Sequence, residues 1–151
     1  LKSGEVANNI IFDTEEYISE DGLNGSSAKI IPSGSVVMAM YGATASQVAY
    51  LDCDTTTNHA CCNMLTTTVE EAAYLYFHCF YQQENIKRLA NGGAQENLSQ
   101  ELICAQPILI CENTYAYDVF FKLLSAKIAF SKEIYYCGML LKSLLSNAVI
   151  I

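Results

Sequence analysis

The sequence predicts an α+β fold: a small mixed β-sheet with a packed helix, followed by a long C-terminal helix of coiled-coil type. Three patterns carry this. Short apolar and β-branched runs punctuated by Gly, Pro and Asn fill residues 28–68. A 3.6-residue apolar period then runs from Val69 to about Ala90, and a second from about Tyr115 to Ile151. The division expected from them is 1–112 for the mixed domain and 113–151 for the long helix.

Residues 1–27 are polar and turn-rich, with Asp13, Glu15, Glu16, Glu20 and Asp21 clustered ahead of Gly22 and Gly25. Ala28–Ile31 and Ser35–Met40 read as two short strands around the tight turn Pro32-Ser33-Gly34. A turn at Gly42-Ala43-Thr44 leads to a strand over Gln47–Leu51, and the polar run Asp52–Asn58 reads as a connecting loop. Cys61–Thr68 is strand-like.

The helix opening at Val69-Glu70-Glu71 places Ala72, Leu75, Tyr76, Cys79, Phe80, Ile86 and Leu89 on one face. Acids at its start and Lys87-Arg88 near its end suit the helix dipole. Asn91-Gly92-Gly93 supplies a left-handed stop. Ser99 can cap a short helix over Gln100–Cys104, and Pro107–Ile110 reads as an edge strand.

In the final segment Leu123, Ala126, Phe130, Ile134, Cys137, Leu141, Leu144, Ala148 and Ile151 recur at spacings of three and four. A helix of some 35 residues is about 50 Å long, more than a domain of this size needs to cover itself. It is expected to project and pair with another helix; folding back as a local hairpin is the alternative.

The chain has 151 residues and a formal net charge of −8, from 8 basic and 16 acidic side chains. At 52% hydrophobic residues it can bury a core, which excludes disordered and low-complexity classes. The acidity argues against loose electrostatic binding of nucleic acid. It is uneven, because residues 1–100 hold 4 basic and 12 acidic side chains while 101–151 hold 4 of each. Leu1–Ile11 lacks the pattern of a signal peptide, and no apolar stretch approaches the ~20 residues of a membrane span. A cytoplasmic protein with no membrane partner is expected. Seven cysteines, an odd number in largely apolar surroundings, read as reduced and buried thiols.

Cys53, His59, Cys61, Cys62, His78 and Cys79 form no paired CxxC or HxxxH spacing, so a metal site is not expected. No GxSxG pattern and no phosphate-binding Gly loop opens a helix, so no catalytic residues are expected either. What remains are polar loops over residues 22–29, 41–47, 55–59 and 92–100, rich in Ser, Thr, Asn and Gln. Those side chains read base edges, and ordinary turns use them too, so composition leaves the choice open.

Four pieces in order resemble the target recognition domain of specificity subunits from type I restriction-modification systems. They are Ser26-Ser27-Ala28-Lys29-Ile30-Ile31-Pro32-Ser33-Gly34-Ser35-Val36-Val37-Met38, then Tyr41-Gly42-Ala43-Thr44, then Thr56-Thr57-Asn58-His59-Ala60, then residues 89–99 with Asn91-Gly92-Gly93 at their centre. Leu102, Pro107-Ile108-Leu109 and residues 140–145 extend the resemblance, which spans about Glu16 to Ile151.

The resemblance implies a non-catalytic DNA specificity subunit. Such a domain reads one half of a bipartite target in double-stranded DNA, while its long helix pairs as a spacer and docks methyltransferase and restriction subunits. It implies DNA-binding positions at Ser26, Ser27, Lys29, Tyr41, Thr44, Asn58, His59, Lys87, Arg88, Gln95 and Asn97. Among these, Asn58, Gln95 and Asn97 are candidates for bidentate adenine contacts, and Lys29, Lys87 and Arg88 for phosphates. Leu123, Phe130, Ile134, Leu141 and Leu144 would form the helix seam, in a homodimer or against another specificity half. S-adenosylmethionine, ATP and magnesium are expected only on partner subunits. The family's Trp-containing opening segment has no counterpart here, so 1–112 is expected to be N-terminally incomplete. An acidic protein-interaction module, a DNA mimic or a degenerate fragment, is the alternative.

Overall fold

A computed structural model describes residues 1–90 and 97–146. After a 3-10 turn at Glu5–Asn8, the chain forms β1 (Ile10–Ile11), α1 (Glu20–Asn24), β2 (Ile30–Ile31) and β3 (Val36–Ala39). A second 3-10 turn at Gly42–Thr44 precedes β4 (Val48–Leu51), β5 (Thr55–Thr56) and β6 (Cys61–Met64). The helices α2 (Val69–Tyr81), α3 (Gln83–Lys87), α4 (Gln100–Cys104) and α5 (Thr114–Ser146) complete the fold.

The main sheet runs β1-β4-β3-β6 and is mixed: β1 lies parallel to β4, and the other neighbours are antiparallel. Its centre is β3, apolar on both faces because both are covered. Val36 and Met38 face a core shared with Tyr76, Cys79, Ile103 and Leu124. Val37 and Ala39 face a second core with Leu1, Val6, Ile11 and Leu51, closed by the N-terminal segment.

Three strand expectations change. The runs at 28–31 and 35–40 do not pair with each other; Gly34, at φ 91°, turns the chain so that β3 joins the main sheet. Within the expected 52–58 loop, Thr55–Thr56 pair antiparallel with Ile30–Ile31 in a separate two-stranded ladder, as β-branched threonines favour. Pro107–Ile110 is not a strand, since the sheet edges are β1 and β6 and neither pairs with it; Leu109 and Ile110 are exposed. β6 is also shorter than expected, ending at Met64 because residues 66–68 turn into the α2 cap.

α2 opens with a capping box. Glu71 N–H donates to Thr68 Oγ1 at 3.2 Å, and Thr68 N–H donates to the Glu71 carboxylate at 3.3 Å. The expected helix to Ala90 is broken at Gln82, which sits at φ −84° and ψ 1° with its side-chain oxygen accepting from Asn85 at 2.7 Å. Ile86 regains the buried face, whereas Phe80 and Leu89 lie at its exposed margin. Ser99 caps α4 as expected, accepting from Leu102 N–H at 3.1 Å.

α5 starts beyond Asn113, whose Oδ1 accepts from Tyr115 N–H at 3.0 Å. Its first half is fastened to α2. Leu124 is buried, Phe120, Phe121 and Ile128 pack beside it, and Tyr74 stacks on Tyr117 and Phe120 at 4.9 and 5.3 Å. Lys132 pairs with Asp52, and Tyr135 meets Phe12 at 5.7 Å. From Tyr136 to Ser146 every residue is exposed, so about 15 Å of unbroken helix extends past these contacts. Leu123, Phe130, Ile134, Leu141 and Leu144 are all exposed and lie about 130° around the helix from the inner stripe. The last expected seam positions, Ala148 and Ile151, lie outside the described residues. Among the described residues no helix is long and apolar enough to cross a membrane.

The two stripes separate in a mutational test. Leu124→Ala, at 1% exposure, is expected to lower the unfolding free energy by about 3 kcal/mol in urea titration. Leu141→Ala, at 58% exposure, is expected to change that of the uncombined chain by less than about 0.5 kcal/mol.

Candidate nucleic-acid interface

Antiparallel pairing of β3 with β6 sets Ala39 opposite Cys61, so the chain leaving β3 runs beside the turn that enters β6. Met40 N–H donates to Ala60 O at 2.8 Å, and Tyr41 follows with its ring 6.5 Å from that of His59. Tyr41 also forms a backbone bridge with Asn97, next to the 2.8 Å bond from Leu98 N–H to Met40 O. Gly42, at φ 72°, permits the sharp turn after Tyr41. Beside this junction Ser26, Ser27, Lys29, Thr57, Asn58, His59, Cys61 and Asn63 line a cleft of about 490 Å³. Segments far apart in sequence therefore meet on one surface.

The candidates differ in what they offer a ligand. Ser26 is spent on its own turn: Oγ accepts from Ala28 N–H at 3.2 Å and donates to Leu23 O at 3.4 Å. Thr44 donates back to Tyr41 O at 3.5 Å, holding the 3-10 turn. Asn58 is half engaged, its Oδ1 accepting from Ala60 N–H at 3.2 Å. Ser27, Lys29, Tyr41, His59 and Asn97 are exposed. Lys87 and Arg88 close the α3 region and do not line the cleft. Gln95 lies outside the described residues.

The lining residue Asn63 was not among the sequence candidates. Asn63 donates from Nδ2 to Thr57 Oγ1 at 2.7 Å and braces the 57–59 turn. Its signal in the sequence was a lone amide in the otherwise apolar run Cys61-Cys62-Asn63-Met64.

Among the described residues no carboxylate lines this cleft, although the chain carries 16. Many have positions elsewhere that account for them. Glu5 accepts from Lys2 and Glu15 N–H, Asp54 from Ser33 N–H, and Glu71 closes the α2 cap. Asp13, held below the usual carboxylate range by hydrogen bonds from Tyr17 and Thr14, stands in a separate groove with Glu16 and Asp54. Lys29 thus gives the cleft a positive charge without a lining acid to offset it.

Among the described residues no three His, Cys, Asp or Glu side chains converge to hold a metal ion. All seven cysteines are free; Cys61, Cys62 and Cys79 are buried as expected, but Cys104 and Cys137 are exposed. Burial pushes the thiols of Cys61, Cys62 and Cys79 up to about 11, opposite to what an activated nucleophile requires.

A family model described as the type I restriction modification DNA specificity domain matches residues 2–135. The chain belongs to this family. The α+β architecture with a long C-terminal helix agrees with the fold expected from the resemblance, and DNA recognition is the family's function.

The raised thiols give a pH dependence. Between about pH 9 and 11 the unfolded chain releases these protons while the folded chain retains them, so stability falls as pH rises. The urea midpoint is expected to be steady from pH 7 to below 9 and to drop towards pH 11. Cys→Ala substitution at Cys61, Cys62 and Cys79 is expected to flatten that drop.

Proposed function

We propose that the chain reads one half of a bipartite double-stranded DNA target through the cleft at Ser27, Lys29 and the 57–59 turn. The observation that carries this is that, among the described residues, no carboxylate lines that cleft in a chain of net charge −8. Tyr41, His59 and Asn97 extend the same surface, and Gln95 joins the proposal from the connecting segment. Lys87 and Arg88 would grip phosphates near its other end. Ser26 and Thr44 serve by shaping the turns.

On this reading α5 is the spacer. Its outer stripe, Leu123, Phe130, Ile134, Leu141 and Leu144, pairs with the same helix of a second copy or of another specificity half, and docks methyltransferase and restriction subunits. This chain performs no bond chemistry; S-adenosylmethionine, ATP and magnesium belong to the partner subunits in the cytoplasm. Self-pairing makes the DNA target palindromic, because a two-fold protein reads two-fold DNA.

One observation favours a second reading. Asp13, Glu15, Glu16, Glu20 and Asp21 are exposed together, as on a protein-interaction module that imitates DNA. Such a module would bind the methyltransferase complex and be displaced by DNA.

Co-expression with the methyltransferase subunit from the same source, followed by mapping of N6-methyladenine on plasmid DNA, separates the two. One split methylated motif is expected, palindromic if the chain pairs with itself. A stable complex that methylates nothing would contradict the proposal. Lys29→Ala is expected to weaken DNA binding about tenfold or more and to relax base choice at one position of the half-site.

A further inference from the structure

We propose that Asn58 is a specificity-determining residue that only donates hydrogen bonds, and that with Lys29 it selects a guanine edge in the half-site. This rests on the DNA-facing reading of the cleft. Two donors from the chain converge on the side-chain oxygen of Asn58: Ala60 N–H at 3.2 Å and Cys61 Sγ at 3.4 Å. A backbone N–H cannot accept, so the amide orientation is decided, with the oxygen turned into the turn. An amide oxygen has two lone pairs, and both are addressed. What Asn58 presents to a ligand is its NH2 group.

The bidentate adenine contact considered for Asn58 needs the amide oxygen to accept from N6 while the nitrogen donates to N7. The turn removes the first half of that pair. Lys29, lining the same cleft, also offers donors only. Guanine presents two major-groove acceptors, N7 and O6, whereas cytosine presents an N4 amino donor. Two donor-only groups in a cleft without a carboxylate match the guanine edge. Thr57, braced by Asn63 at 2.7 Å, holds the turn in the conformation that fixes the amide.

The test uses the full chain assembled with the methyltransferase subunit. Asn58→Asp keeps an oxygen for the Ala60 N–H and so keeps the turn, but exchanges the outward NH2 for an acceptor. The wild-type complex is expected to methylate a motif with a guanine in this half. Asn58→Asp is expected to reduce methylation there about tenfold and, at that position alone, to favour cytosine. In a synthetic duplex, 7-deazaguanine at that position is expected to weaken wild-type binding several-fold, while methylphosphonates at the flanking phosphates are not.

A half-site without guanine, an unchanged motif in Asn58→Asp, or sensitivity at the phosphates and not at the base would overturn the proposal. Should the variant fail to fold, the 7-deazaguanine duplex decides with the wild-type complex. A wild-type complex that assembles and binds no DNA would overturn the reading of the cleft itself, a result distinct from all of these.

Discussion

The strand Val36–Ala39 is buried on both faces, and every other element takes its place from that requirement. Four consecutive apolar residues need a cover on each side of the sheet. α2 and the first half of α5 cover one side, and the N-terminal segment with Val6 covers the other. The register of this strand with Cys61–Met64 then sets two loops side by side, the one after Met40 and the one before Cys61. Because both faces are apolar, alternation alone does not select that register. The bonds at the strand end, from Met40 to Ala60 and from Leu98 to Met40, fix it there and assemble the cleft at the same time.

Net charge is a poor guide to such a surface. The count of 16 acids against 8 bases describes a chain unsuited to a polyanion. Their positions tell otherwise. Carboxylates satisfy backbone N–H groups in the N-terminal region and at the α2 cap, and pair with Lys122 and Lys132 on α5. The exposed Lys122 pair adds little stability, but both pairs keep acids occupied away from the cleft. The aromatic packing of Tyr74, Tyr117 and Phe120 does more to hold α5, and leaves its outer stripe for a partner.

Much of this was legible in the sequence where one local signal dominated. The Ser99 cap, the start of α2 and the length of α5 follow from capping chemistry and the 3.6-residue period. The break at Gln82 did not, because the apolar period continues across it and returns Ile86 to the buried face. Thr55–Thr56 became a strand only because Ile30–Ile31 lay alongside, and Pro107–Ile110 failed to become one for want of a neighbour. In the site, the 26–29 and 57–59 segments, singled out by their polar composition, line one cleft. Which atoms face outward was hidden, since Ser26 and Asn58 are turned by bonds to backbone groups two residues away.

The central claim is that DNA lies against the cleft and not against the aromatic face between α2 and α5. The most direct measurement is photo-crosslinking in the assembled complex, with a benzophenone side chain placed at Ser27 or at Tyr81, which is exposed on that aromatic face. Crosslinks to the target duplex from Ser27 and none from Tyr81 are predicted. Crosslinks from Tyr81 alone would contradict the account.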